Sequence, residues 1–146
     1  MKPQYKQMRI KQLSRSLAAL EKARGVARPS RGWLRAIREA LGISLAQVGQ
    51  RTRTTKQGIQ AFEKTEASDR ITLRNLRRVA EAMDCVLIYA VVPKSGTIRD
   101  LAERRARSEA TRRVQSVERS MALEGQAAGG VRDLIEEETK RIIKKR

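Results

Sequence analysis

The run Thr52-Arg53-Thr54-Thr55 constrains this chain more than any other, because it is poor in helix formers yet lies between two stretches that both read as helices. Upstream, Ser44 with Gln47 three residues on gives the signature of a reciprocal helix cap. Ile43 and Val48 stand where an apolar staple would close around it. A helix therefore begins at Ser44 and ends near Arg51. Downstream, Thr55 supplies the cap of another short helix whose Ile59 and Phe62 face inward. Lys56, Gln57, Gln60 and Lys64 are then left on its outer side. The expectation is two short helices joined by a tight turn, the second carrying a polar, long-reaching face.

The flanking sequence supplies more helix. From Tyr5 to Arg24, Ile10, Leu13, Leu17 and Leu20 recur at helical spacing among Lys and Arg. Gly25 and Pro29-Ser30 interrupt that pattern. Trp33, Ile37, Ala40 and Leu41 resume it until Gly42 closes the next helix. Ile71-Thr72 reads as a staple and cap for a helix with Leu73, Leu76, Val79, Ala80 and Met83 on its apolar stripe. The β-branched run Cys85 to Val92, ended by Pro93, reads as one short β-strand in need of a partner. Two helices follow, about Thr97 to Glu124 and Val131 to Lys145, separated by a Gly-containing break. The fold class expected is all-α, mainly helical, with that single strand. The division expected is an amphipathic N-terminal helix (1–28), a compact domain (29–93) and a helical tail (94–146).

With aromatic residues at 3%, the core must be aliphatic. Lys and Arg number 33 against 16 Asp and Glu, a formal charge of +17, which favours a polyanionic partner. The excess is distributed: eight basic residues against one acidic over 1–30, eleven against six over 31–92, fourteen against nine over 93–146. An anionic membrane is the other polyanion to weigh, but the longest apolar run, Cys85 to Val92, is too short to span a bilayer. The start MKPQYKQMRIKQ lacks a following apolar segment, so a cytoplasmic protein is expected. The lone Cys85 sits in the apolar run, where a packed thiol is the expected role.

The inventory excludes much chemistry. With no His and one Cys, zinc sites, Ser/His/Asp triads and Cys/His pairs cannot be assembled, and no Gly-rich phosphate loop occurs. The carboxylates lie among Arg and Lys on helical patterns, which reads as solvated salt-bridged faces. No catalytic residue, metal or cofactor is therefore expected.

Two short helices over Ser44 to Lys64, preceded by a third, have the organisation of a helix-turn-helix, whose second helix enters the major groove of DNA. Ser44, Val48, Gly49, Ile59, Glu63, Leu73 and Leu76 resemble the Xre/Cro-like helix-turn-helix family. RGWLRAIREALGISLAQVGQ through ITLRNLRRVAEAMDCVLIYAVVP resembles the bacterial group called mobile mystery protein A. The resemblance implies that Thr55, Lys56, Gln57 and Gln60 face the groove while Gly49, Ile59 and Phe62 pack the two helices. Three positions depart from the family pattern: Leu45 stands where a phosphate-contacting Gln is frequent, Gly49 replaces Ala, and Arg53 replaces the turn Gly. Either Arg53 adopts positive φ at a cost of about 1–3 kcal/mol, or the turn is irregular and its side chain points to a phosphate. By chemistry alone, Gln57 and Gln60 suit the adenine edge, and Arg53, Lys56 and Lys64 suit phosphates.

Ser120-Met-Ala-Leu-Glu124-Gly125 resembles the inhibitory helix of Fic-family antitoxins, whose Glu blocks ATP γ-phosphate binding in an AMP-transferring partner. Val117, Ser120, Met121 and Glu124 share one helical face, with Gly125 after it. The partners expected are double-stranded DNA, a Fic-domain AMP-transferase toxin held by the tail, and a second copy paired through Cys85 to Val92. Two alternatives stand beside that antitoxin and autorepressor: a plain helix-turn-helix regulator, and a basic RNA-binding protein.

Overall fold

The computed structural model describes residues 2–123 and 130–145, and among these the regular structure is helical throughout. The chain forms two compact units, one from residues 26–89 and the other from residues 1–25 together with 90–146.

The 26–89 unit holds four helices: α2 (Trp33–Ala40), α3 (Leu45–Thr52), α4 (Lys56–Ala67) and α5 (Leu73–Ala82), numbered after the N-terminal α1 (Pro3–Glu21). Local chemistry sets their boundaries as the sequence implies. The Ser44 side chain accepts from the N–H of Gln47 and the Gln47 side chain accepts from the N–H of Ser44, the reciprocal cap that starts α3. Thr55 and Thr72 cap α4 and α5 by accepting from Gly58 and Asn75. Gly42, at φ +67°, turns the chain away after α2. The core is Leu34, Val48, Ile59, Val79 and Met83, with Ile37, Ile43, Phe62 and Leu76 packed around it.

On α2 Ile37 packs on the core as expected, but the buried anchor is Leu34 rather than Trp33. Leu34 is 2% exposed, whereas Trp33 is 43% and Leu41 57% exposed. The reason lies on α4. The Glu66 carboxylate accepts from the N–H groups of Trp33 and Leu34 at 2.7 and 2.9 Å, so a side chain 32 residues downstream caps α2 and sets its rotation. Gly32, at φ +88°, makes room for this, since a Cβ there would stand 2.6 Å from a Glu66 oxygen.

Cys85 to Val92 is not a β-strand in this chain, although its sequence favours one. Among the described residues no second extended segment offers it a ladder, so the run lies without regular structure and leaves Val86, Ile88, Tyr89 and Val91 exposed.

The other unit combines α1, a short 3-10 turn (Lys22–Gly25), α6 (Ile98–Leu123) and α7 (Val131–Lys145). Leu17 is the buried residue of α1, while Leu13 stays 46% exposed. Ala106 and Ala110 let α7 approach α6 closely around Ile142, with Ile135 and Ile143 beside it. Arg113 ties the pair by donating to Glu109 and Glu138. Thr97 and Asp100 cap α6 reciprocally. No helix among the described residues is long and apolar enough to cross a membrane.

Candidate nucleic-acid interface

The turn between α3 and α4 is held by backbone contact and by one arginine. Thr54 N–H donates to Gly49 O at 2.8 Å, bringing the chain so close to α3 that a Cβ on Gly49 would meet Thr54 O at 2.5 Å. Glycine at 49 is thus what this turn requires. Arg53 has φ 53° and ψ 43°, the left-handed conformation that strains a residue bearing a Cβ. Arg78 of α5 donates to Thr52 O and to Thr54 Oγ1 at 2.5 and 3.2 Å, bracing the turn from below.

On its inner face α4 is anchored by three residues at helical spacing. Ile59 is fully buried, Glu63 is 5% exposed and Glu66 3% exposed. Glu63 accepts from Arg38 at both carboxylate oxygens, at 2.5 and 3.1 Å, a two-pronged pair sheltered from water. This bond is the largest cause raising the Arg38 pKa above its ordinary value. These two carboxylates therefore do not form a solvated face. The signal that places them was available, since Glu63 and Glu66 follow Ile59 by four and seven residues and so share its inward direction.

The outer face carries the residues singled out by sequence. Arg53, Thr55, Lys56, Gln57, Gln60 and Lys64 are all exposed. Thr55 has its hydroxyl engaged by Gly58 N–H, whereas the side chains of Arg53, Lys56, Gln57, Gln60 and Lys64 have no hydrogen-bond or ion-pair partner among the described residues. Five long polar groups therefore project from one anchored helix and the turn before it, free to bind something outside the unit.

The second constellation is only partly described. Val117 and Ser120 are exposed on α6, Met121 is half-buried, and the Ser120 hydroxyl donates back to Ser116 O. Glu124 and Gly125 lie outside the described residues.

Comparison with curated proteins and with solved structures finds no match. A family model does match: residues 34–87 fit the one described as helix-turn-helix. That span runs from the start of α2 past α5, and within it α3, the glycine-dependent turn and α4 occupy the places of the motif. Residues 34–87 are a helix-turn-helix domain of the Xre/Cro-like kind, a DNA-binding fold.

Proposed function

We propose that the protein is a sequence-specific transcription regulator in which α4 enters the major groove of duplex DNA. The observation that carries this is the row of unpaired long side chains on an α4 whose other face is fixed by Ile59, Glu63 and Glu66. In this reading Gln57 and Gln60 contact base edges, Thr55 lies at the groove edge, and Arg53, Lys56 and Lys64 hold phosphates. Binding titrations on a duplex selected from a random library, and on a scrambled duplex of equal length, test the assignment. Gln57→Ala lowers discrimination between the two by about 1–3 kcal/mol. Equal losses on both duplexes would move Gln57 to the backbone, and no discrimination by the wild-type chain would defeat the reading.

Helix-turn-helix proteins commonly read inverted half-sites as dimers. The exposed Val86, Ile88, Tyr89 and Val91 on a β-branched run without regular structure support a second copy pairing along Cys85 to Val92, where each chain would supply the ladder the other lacks. Leu87→Pro removes a donor from that ladder and yields monomers on sizing.

A narrower reading adds a Fic-type partner. It is favoured by the exposure of Val117 and Ser120 on one face of α6, ahead of the Glu124-Gly125 pair that resembles an inhibitory helix. Glu124→Gln keeps the shape but loses the charge-assisted pairing with a partner arginine, so AMP transfer by the partner is released while the complex persists. Undiminished silencing by Glu124→Gln returns the tail to a structural role.

A further inference from the structure

The matched helix-turn-helix lies in the less charged half of the molecule. Residues 26–89 carry twelve basic side chains against six acidic, while residues 1–25 and 90–146 carry twenty-one against ten. A net charge of about 2–8 suffices to keep a small domain soluble. The unit of residues 1–25 and 90–146 exceeds that, and its excess is arranged in rows. On α1 and at its C-terminal cap, Lys11, Arg15 and Lys22 follow one another by four and seven residues, and with Lys22 still in helical backbone conformation they share a face over about 16 Å. On α6, Arg105, Arg112 and Arg119 repeat every seven residues over about 21 Å. All six are exposed and none has a partner among the described residues. Every basic residue of α6 is arginine, the side chain whose planar fork matches phosphate oxygens.

We infer that this unit is a second, sequence-independent contact for the DNA backbone, made by the α1 and α6 rows. The inference rests on the DNA-binding reading above. It adds to the electrostatic grip of Arg53, Lys56 and Lys64, the three cations among the six exposed positions on α4 and its turn. A lipid surface is the weaker fit for these cations. Helices that lie on membranes separate a broad apolar face from a basic one, whereas on α1 the exposed Tyr5, Met8 and Leu13 are scattered among the cations.

The test uses the full chain and two triple variants, Lys11→Gln/Arg15→Gln/Lys22→Gln and Arg105→Gln/Arg112→Gln/Arg119→Gln, with circular dichroism to verify helix content. Binding is titrated against salt on the selected and the scrambled duplex. Each variant lowers the slope of log affinity against log salt by up to about 2.7, which is about 0.9 for each phosphate that is no longer neutralised. Affinity falls by the same factor on both duplexes, so discrimination is unchanged. Wild-type slope and affinity in both variants would overturn the inference. So would a loss confined to the selected duplex, or variants that lose binding to phosphatidylserine vesicles while keeping wild-type duplex affinity. Failure of the α4 reading is separable, because it appears as absent discrimination in the wild-type chain and leaves the salt slopes free to decide this one.

Discussion

Within residues 26–89, four arginines outside the α4 face are tied into the fold, Arg38 in a sheltered position and the others nearer the surface. Arg38 holds the buried Glu63, Arg78 braces the turn, Arg28 donates to the Glu66 and Ala67 carbonyls and pairs with Asp69, and Arg51 closes on Ala82 O. The unit of residues 1–25 and 90–146 instead buries small and aliphatic residues, Ala106, Ala110 and Ile142, and leaves its arginine and lysine rows facing water. The contrast separates two uses of one residue type. A charge enclosed with a partner fixes geometry and is costly to disturb, whereas a charge left in solvent contributes little to stability and remains available to a ligand.

The most severe way to break the first pattern is Glu63→Ala, which strands Arg38 in a sheltered position. Equilibrium denaturation should report a loss of about 3–5 kcal/mol. A value near zero would mean the pair is no more than a surface salt bridge. The corresponding blow to the other unit is Ile142→Ala, expected to cost about 2–5 kcal/mol through the missing apolar volume and the cavity it leaves. Amide exchange resolved by residue should locate the damage in α6 and α7 rather than α4.

Arg53→Gly acts in the opposite direction. Removing the Cβ from a left-handed residue should raise stability by about 1 kcal/mol, while affinity for both duplexes drops if the side chain holds a phosphate. A variant that is stabilised but binds normally would show that Arg53 has only a conformational cost. The smallest effect concerns pH. Hydrogen bonds from the backbone and hydroxyl of Thr97 hold the Asp100 pKa below its ordinary value. The stabilisation they give the first turn of α6 is present above the unfolded carboxyl value of about 3.9 and is lost as pH falls through the lower folded one. Lower amide protection at that turn on acidification, relative to the intrinsic exchange rate at each pH, is the expected signature, and it is absent in Asp100→Asn.

Local signals carried most of the fold. Ser44, Thr55 and Thr72 announced their helices because capping involves residues three apart, and α7 was readable from end to end. What escaped reading was non-local. The rotation of α2 follows from Glu66, far along the chain, and Trp33 and Leu41 fit the helical period as well as Leu34 until that contact is known. The run Cys85 to Val92 has strand composition, but a strand is defined by its neighbour, and composition cannot supply one. For the candidate site, outward-facing polar residues on a capped helix were legible from periodicity. The inward direction of Glu63 and Glu66 was open to the same periodicity, but the partner that lets Glu63 be buried was not, because Arg38 reaches it from another helix.

The cap that Glu66 provides for α2 also makes the stability of one helix depend on another. An eight-residue helix is far too short to persist by itself in water, and α2 begins at a glycine that offers no side-chain cap of its own. Its first turn can become stable only once the far end of α4 is helical and has closed the loop of chain between them. In the folded unit α2 thus rests on a template that α4 supplies.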